Sequence, residues 1–350
     1  MDINLHVIYA YYEGNERYKT NLLFFLKRGY VPLVDYTFVI NGKSTIDIPQ
    51  RDNIIVIMRE NTGYDFQGYY AGIQSLKNRN LLRPGHYYLF LNCTARGPFL
   101  PPFTSCHMYW YTPFVDMMTN NVKLAGVTIN GYLGTHVQTY LFIMDYECIS
   151  FLLEQNFFKQ YNTHADVVNH QEIALSQLVL SHGWNINCLI PEYRDLDYTK
   201  KETTISSYDI RLPKTFLGRD LTPYETIFSK TEWGDPTGQL ESLTETGLVI
   251  TGTQRFICHK VLYGISEKQA IDVTQVLQSL KHINSHQLHP NTVFTDPYPE
   301  KAKWLYVYLD QQAKPLVLRE YENRILDPRY WYIFDYDAHS LWIILGQLTP

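Results

Sequence analysis

The sequence predicts an α/β protein in which helices flank a mostly parallel sheet, followed by a smaller β-rich domain. In the first half, short apolar runs rich in β-forming residues alternate with segments of helical periodicity. Residues 236–247 form a polar, glycine-containing stretch without periodicity, which is typical of a linker. Beyond it the helix signals fade. We therefore predict a first domain over 1–235, with 196–235 as its tail, and a β-rich domain over 248–350.

Local sequence patterns indicate the individual strands and helices of the first domain. The apolar runs are continuous, as is usual for buried parallel strands, and Gly29 and Gly183 are placed to end helices. The predicted strands are 5–11, 34–40, 53–58, 86–91, 126–129, 137–144 and 184–190, and the predicted helices are 18–27, 68–77, about 147–156 and about 171–182. In the second domain the strand-like runs are 248–263, 303–309, 316–322 and 341–345.

Composition excludes several classes of protein. The net charge is −5 and basic residues form no block, so a nucleic-acid surface is not expected. The longest charge-poor stretch contains glycines and polar residues that a bilayer would penalise, and the N-terminus lacks the basic region of a signal peptide. Five scattered cysteines without CxxC spacing favour neither a disulfide framework nor a zinc site. We expect a cytoplasmic protein without a transmembrane segment.

Two polar loops follow buried strands, where ligands of parallel sheets bind. In the loop 59–66, Arg59 and a helix N-terminus would favour a phosphate, and Asp65 could bond a sugar hydroxyl or a metal. In the loop 92–98, small polar residues closed by Arg96 fit a pocket floor for a diphosphate or a sugar. Both loops can equally be turns, with Asp65 capping the next helix, since Asn, Thr and Gly favour turns for local reasons.

Two further segments carry polar groups that have competing explanations. Strand alternation places His136 and Gln138 on one face, where they could orient an acceptor hydroxyl, although a single histidine can also be structural. Glu172 begins a predicted amphipathic helix, where a carboxylate can act as a general base or simply complement the helix dipole. The sequence lacks GxGxxG, GxxxxGK[ST], HExxH and GxSxG, which removes the usual anchors of dinucleotide, P-loop, zinc-protease and hydrolase sites.

Taken in this order, the segments resemble glycosyltransferases of the GT-A type, closest to the rhamnan synthesis F-like group of polysaccharide biosynthesis. After the opening HVIYAYYEGNERY, the resembling segments are ENTGYDFQGYYAGI, LNCTARGPFLP, GTHVQTYLFIMD and HQEIALSQLVLSHGWNI, within residues 3–195. The resemblance implies a GT-A-like, Rossmann-like fold and an enzyme that moves a hexosyl, deoxyhexosyl or pentosyl group. Its partners would be a nucleotide-sugar donor and a glycan or glycoconjugate acceptor.

The resemblance also implies roles for individual residues. Glu172 takes the position of the catalytic base of inverting enzymes, and Asp166 is the other candidate. The donor-binding residues would be Tyr11, Tyr12, Asn41, Arg59, Asn61, Gly63, Asp65, Asn92, Thr94 and Arg96, and the acceptor-binding residues Gly131, His136 and Gln138.

The sequence departs from the family pattern at the metal site. Many GT-A enzymes hold Mn²⁺ or Mg²⁺ with an Asp-x-Asp motif, but this chain has Asn92-Cys93-Thr94, and hard divalent ions prefer carboxylates. Metal dependence is therefore open, with Arg96 as an alternative source of positive charge. Two other functions stay open, a non-catalytic carbohydrate-binding protein on the same scaffold and, more remotely, a sugar-phosphate nucleotidyltransferase. The C-terminal domain would be an accessory binding module or a structural cap.

Overall fold

The chain forms two compact units, Met1–Thr244 and Glu245–Pro350. The structure is a computed structural model, and it describes residues 4–31, 34–101, 109–203, 205, 212, 214–232, 238–249, 254–278, 282–284, 294–299, 301–309, 315–319, 330–336 and 341–347.

The first unit alternates strands and helices, as predicted. Its strands are β1 (Leu5–Tyr11), β2 (Asp35–Asn41), β3 (Ile54–Arg59), β4 (Tyr87–Asn92), β5 (Ala95–Arg96), β6 (Val122–Gly126), β7 (Ile129–Asn130), β8 (His136–Val137), β9 (Leu141–Asp145), β10 (Asn185–Cys188) and β11 (Ser229–Lys230). Its helices are α1 (Glu16–Arg28), α2 (Tyr64–Asn78), α3 (Thr112–Asp116), α4 (Tyr146–Glu154), α5 (His164–Val167), α6 (Ala174–Ser181) and α7 (Pro223–Thr226), with a π-helical segment (Val168–Ile173) between α5 and α6. In the described part of the chain, no helix is long and apolar enough to cross a membrane.

Seven strands form the central sheet in the order β10-β6-β9-β4-β1-β2-β3. All neighbours are parallel except β9, which runs antiparallel to both β4 and β6. The predicted mostly parallel α/β sheet is confirmed. Because β4, β1 and β2 are parallel neighbours, their carboxyl ends meet at one edge, which places Asn92, Tyr11 and Asn41 together.

Alternation along β1 divides the core into two layers. Tyr9 and Tyr11 face the layer that contains Phe25 of α1, whereas Ile8 faces the layer that contains Ile73 of α2, and all five are buried. Helix α1 begins at the Asn15 cap, whose side chain accepts a hydrogen bond from the Tyr18 amide (3.0 Å), and it ends at Gly29 as predicted. Burial of both faces explains why β1 is apolar at every position but His6.

Several predicted elements differ from the structure. The predicted strand 126–129 falls mostly between β6, which ends at Gly126, and β7, which begins at Ile129. The predicted strand 248–263 begins within the helix 239–249, and its strand starts at Gln254. The predicted strand 137–144 is divided into β8 and β9, because β8 pairs with β7 in a separate two-stranded ribbon. The predicted helix 171–182 starts earlier, since α5, the π-helical segment and α6 run continuously. Within the predicted linker 236–247, a helix that the sequence does not predict, α8 (Gln239–Val249), begins at residue 239. Because that stretch is polar and lacks helical periodicity, its helix could not be predicted from the sequence.

The second unit is β-rich, as predicted. Its elements are β12 (Gln254–Ser266), β13 (Gln269–Asp272), α9 (Thr274–Gln278), β14 (His282–Asn284), β15 (Trp304–Leu309), β16 (Leu316–Arg319), β17 (Tyr330–Tyr336) and β18 (Leu341–Gln347). The strands form an antiparallel sheet in the order β14-β17-β18-β12-β15-β16, and β13 folds back on β12.

Candidate functional site

A cavity of about 330 Å³ lies in the first unit, at the carboxyl ends of β1, β2 and β4. It is lined by Ala10, Tyr12, Tyr18, Asn41, Asn61, Tyr64, Asp65, Asn92, Cys93, Thr94, Gln138, Thr139, Tyr140, His164, Val167, Glu172, Lys230 and Glu232. The two predicted polar loops and the predicted catalytic helix therefore open into one space.

The floor of the cavity is a hydrogen-bonded set of three side chains. The Asn92 amide donates to Asp65 Oδ2 (2.7 Å). The other end of that amide, Asn92 Oδ1, accepts from the Thr94 hydroxyl (2.6 Å) and from the Thr94 backbone N–H (3.0 Å). Asp65 Oδ1 accepts from the Phe66 N–H (3.0 Å). Each floor group is thus held in one orientation before any ligand arrives.

The carboxyl group of Asp65 has a perturbed acidity. Burial raises its pKa to about 6, and the charge of Glu172 adds to the rise, while the hydrogen bond from Asn92 and the charge of Lys230 oppose it. The two carboxylates thus interact across the same cavity. Near neutral pH the Asp65 carboxyl group is therefore mostly ionised, and binding of a further negative charge in the cavity is electrostatically unfavourable.

Lys230 supplies positive charge to the cavity, and among the described lining residues it is the one lysine or arginine. It lies on β11, which pairs antiparallel with β5 and so returns the chain to the end of the sheet. Its ammonium group is 3.2 Å from Glu232 Oε2, and Glu232 Oε1 accepts a hydrogen bond from the Tyr18 hydroxyl (2.7 Å). The cavity therefore contains a cation whose carboxylate partner is itself fixed by α1.

Glu172 lies inside a continuous helical run rather than at the start of a helix. The run begins at the Thr163 cap, and Glu172 belongs to its π-helical segment. The dipole explanation for this carboxylate fails, because the effect is confined to the first turn of a helix. Gln171 anchors the segment by donating to the Lys159 carbonyl (2.9 Å), and Ser176 anchors α6 by accepting from the Val137 N–H (2.9 Å). A π-helical turn changes the direction in which the side chains that follow it point, and such turns are frequent at functional sites.

Aromatic side chains stand at the rim. Tyr12 and Tyr64 are 44% and 42% exposed, so their rings remain available to a ligand although both line the cavity. The Tyr64 ring contacts His164 edge-on, with centroids 6.0 Å apart. Exposed aromatic rings of this kind stack on nucleobases and on the apolar faces of sugars.

The predicted acceptor residues are divided between the cavity and the structure behind it. Gln138 lines the cavity, while His136 is buried behind it and Gly131 lies in the turn between β7 and β8. His136 Nδ1 donates to the Gly134 carbonyl (2.7 Å), so in the neutral ring Nε2 accepts from the Gln138 amide (3.1 Å). His136 therefore orients Gln138.

Several predicted donor residues do not line the cavity. The Tyr11 ring points into the core because of strand alternation, and its hydroxyl donates to Glu13 (3.2 Å). Arg59 donates to Asn41 and to the Thr62 carbonyl, which shapes the loop. Gly63 has φ +70° and caps α2, a conformation that favours glycine.

Arg96 and Asp166 also lie apart from the cavity lining. Arg96 is 2% exposed and bonds within the core. The Asp166 carboxylate accepts from the Thr163 hydroxyl (2.6 Å) at the start of α5. The predicted residues that do line the cavity are Tyr12, Asn41, Asn61, Asp65, Asn92, Thr94, Gln138 and Glu172.

Sequence reasoning missed the charged pair Lys230 and Glu232, along with Tyr18 and His164. Lys230 and Glu232 fall in the predicted tail 196–235, where no motif marks them, and β11 is two residues long. The pairing of β11 with β5 brings this segment to the site. Tyr18 had a usable signal, since it lies one helical turn past the Asn15 cap after β1.

The described residues form no metal site of three or more protein ligands from His, Cys, Asp or Glu side chains. At the strand end, Asn92 Oδ1 is already engaged by Thr94, and the Asp65 carboxylate is bonded to Asn92 and to its neighbouring amide. Among the described lining residues, the positive charge comes from Lys230.

Comparison with known sequences decides the family resemblance. The sequence model of the family described as "Rhamnan synthesis protein F" matches this chain over residues 48–221. The predicted resemblance is confirmed. The matched range contains Asp65, Asn92, Gln138 and Glu172 of the cavity and ends before Lys230. At the general level, the match with this rhamnan synthesis F family supports a glycosyltransferase of polysaccharide biosynthesis. No curated protein matches the sequence.

Three glycosyltransferases of known structure match parts of this chain. The galactosyltransferase LgtC, in complex with donor and acceptor sugar analogs, is 12% identical, with 70% of this chain and 96% of that chain covered and a TM-score of 0.35. The mannosyltransferase PcManGT from Pyrobaculum calidifontis, in complex with GDP-Man and Mn²⁺, is 10% identical, with 53% and 54% covered and a TM-score of 0.34. GlyE of Streptococcus pneumoniae TIGR4 is 10% identical, with 53% and 44% covered and a TM-score of 0.29. This chain thus spans about half the length of PcManGT and GlyE.

Proposed function

We propose that the protein transfers a sugar from a nucleotide-sugar donor to a glycan or glycoconjugate acceptor with inversion at the anomeric carbon. The observation that carries the proposal is the placement of Glu172 and Lys230 in one cavity of about 330 Å³. That arrangement offers a base for the acceptor and a cation for the leaving group. The family match supports the general class of the reaction.

The donor would lie along the ends of β1, β2 and β4. Tyr12, Asn41 and Asn61 offer an aromatic ring and amides to the nucleoside, and the Lys230 ammonium offers a charge-assisted bond to the diphosphate. The diphosphate would compete with Glu232 for Lys230, because that carboxylate is 3.2 Å from the ammonium group. Arg59, through Asn41 and the Thr62 carbonyl, would hold the loop in shape.

The proposed reaction is a single displacement at the anomeric carbon. Glu172 takes the proton of an acceptor hydroxyl, and that oxygen forms a bond to the anomeric carbon. The bond from this carbon to the diphosphate oxygen breaks, and the nucleoside diphosphate departs with the electron pair. Lys230 stabilises the negative charge that grows on the leaving oxygen. Gln138, oriented by His136, would position the acceptor.

The first test is a calorimetric screen of UDP-, GDP-, CDP- and dTDP-sugars, each with Mn²⁺ and with EDTA. We expect one nucleotide to bind, with affinities that agree within about threefold between the two conditions, because the described residues do not form a metal site. If none binds in either condition, the transferase proposal fails. Binding of free glycans in that case would favour the carbohydrate-binding alternative.

The second test is Glu172→Gln, assayed with the donor and acceptor that the screen identifies. We expect donor affinity to stay within about twofold and kcat to fall by about 10²- to 10⁴-fold, since general-base catalysis contributes this much. Asp166→Asn decides between the two predicted bases. Its carboxylate is engaged by Thr163 outside the cavity lining, so we expect unchanged turnover, and the reverse pattern would make Asp166 the base.

A further inference from the structure

We propose that Thr231 is a positioning residue, held in place by Asn21 and Arg96, that fixes the strand carrying Lys230. The inference rests on the proposed function, in which Lys230 binds the diphosphate of the donor. It assigns to Arg96 a role other than the donor contact that the sequence predicts, and it brings in Asn21 and Thr231, which no sequence motif marks.

The first step is the geometry of the β5–β11 ribbon. Ser229 pairs with Arg96, and Lys230 pairs with Ala95. Directly opposed residues of an antiparallel pair share a face, and successive residues alternate between faces. Arg96 therefore lies on the face opposite to that of Lys230. Arg96 is buried in the core while Lys230 lines the cavity, so anything that holds Arg96 also determines where β11 presents Lys230.

The second step is the set of partners around the Arg96 guanidinium. Its Nε donates to Asn21 Oδ1 (2.7 Å), and its Nη1 donates to Glu241 Oε2 (2.9 Å) and to Thr244 Oγ1 (3.0 Å). Asn21 is itself fully buried on α1. A buried charge is tolerated only when paired and hydrogen-bonded, so these contacts hold Arg96 in one place.

The third step connects this network to the two chain segments that border the cavity. The Asn21 amide donates to the Cys93 carbonyl (2.8 Å) and to the Thr231 hydroxyl (2.9 Å). The Thr231 hydroxyl in turn donates to the Thr94 carbonyl (2.9 Å), and the Thr231 N–H donates to the same oxygen (2.8 Å). Asn21 thus joins the segment after β4 to the segment after β11.

Thr231 occupies the decisive position, because it lies between Lys230 and Glu232 in sequence. A displacement of Thr231 moves the cation and its carboxylate partner together. Phosphate recognition by a single ammonium group depends on placement to within a fraction of an ångström, and a shift of about 1 Å is enough to weaken a preorganised site. The network therefore acts on donor affinity through Lys230.

The experiment is a double-mutant cycle in the full chain, with inorganic pyrophosphate as the probe and calorimetry at low ionic strength as the measurement. The proteins are wild type, Lys230→Met, Thr231→Val and the double variant. We expect Thr231→Val to weaken pyrophosphate binding about tenfold in the wild type and by less than twofold in the Lys230→Met background. Thr231→Ser keeps the hydroxyl and should restore wild-type affinity.

A matched control separates positioning from loss of stability. Thr37→Val removes another buried threonine hydroxyl, the one bonded to His6 Nε2 (2.7 Å), from the central sheet. We expect it to lower the melting temperature as Thr231→Val does while leaving pyrophosphate affinity unchanged.

The remaining outcomes overturn one proposal or the other. An equal loss of affinity in both backgrounds, or no loss in either, overturns the positioning role and leaves the donor site standing. No binding to wild type, or full binding to Lys230→Met, overturns the placement of the diphosphate at Lys230.

Discussion

Asp65 shows how a single residue sets the electrostatics of the site. Its carboxylate accepts a hydrogen bond from Asn92, and burial raises its pKa to about 6. The charge of Glu172 contributes to this rise, whereas the charge of Lys230 opposes it. A donor diphosphate brings at least two further negative charges into this space. The protonation state of Asp65 therefore affects how well a phosphate ligand binds at the pH of the cell.

We predict that Asp65→Asn tightens pyrophosphate binding at pH 7.5 by about fivefold, equivalent to about 1 kcal/mol, and has little effect at pH 5. Above pH 6 the wild-type carboxyl group is ionised and repels the ligand, whereas below pH 6 it is neutral, as asparagine is. Calorimetric affinities of the two proteins from pH 5 to 8 give the ratio directly. Asp116→Asn, an exposed aspartate of α3, serves as the control. A ratio that does not change with pH would contradict the assignment.

His6 offers a second residue-scale test, on stability rather than binding. Burial and the neighbouring charge of His86 lower the pKa of His6 to about 3, from an ordinary 6.5. Between these values the unfolded chain binds a proton that the folded chain does not, so stability falls as pH decreases below 6.5. We predict a loss of about 1.4 kcal/mol per pH unit from this residue. Urea unfolding at pH 7, 5.5 and 4.5 measures how the free energy of unfolding changes with pH. His6→Gln should reduce this slope by about 1.4 kcal/mol per pH unit, which corresponds to the uptake of one proton on unfolding.

At the scale of elements, the strands and helices of the first unit were largely predictable, whereas their relation to the site was less so. Continuous apolar runs and helix-ending residues such as Gly29 act locally, and they indicated β1, α1 and β4 to within one or two residues. Lys230 depends on β11, whose two residues carry no pattern of their own. Glu172 was predicted as a site residue, but only the structure shows that a π-helical segment carries it. Long-range pairing and helical irregularity leave little trace in local sequence.

Helix α2 depends on a close approach to β1 that only glycine permits. A Cβ atom on Gly72 would lie 2.6 Å from Ile8 Cγ2 in the buried core. We predict that Gly72→Ala destabilises the protein by about 1–3 kcal/mol, although alanine is the better helix former by about 1 kcal/mol. Chemical denaturation measures the change. Lys77→Ala on the exposed side of the same helix should shift stability by less than about 0.5 kcal/mol, and a stabilising Gly72→Ala would contradict the close packing.

At the scale of the whole molecule, the described residues of the candidate site and its supporting network belong to the first unit. The described residues that line the cavity lie before residue 233, and the described partners of Arg96 extend to Thr244. The unit boundary falls at that point, inside α8. A polar stretch that the sequence assigns to a linker thus includes part of the first unit, because Glu241 and Thr244 hold a buried charge there.

This placement predicts different behaviour for two truncated chains. Residues 1–249 keep all of α8, so we expect this fragment to fold and to bind pyrophosphate within about twofold of the full chain. Residues 1–235, which end where the sequence predicts the linker, lose Glu241 and Thr244. Arg96 then loses two of its hydrogen-bond partners, which should cost about 1.5–3 kcal/mol of stability and weaken pyrophosphate binding. Circular dichroism melts and calorimetry compare the fragments, and equal behaviour of the two would show that α8 contributes nothing to the site.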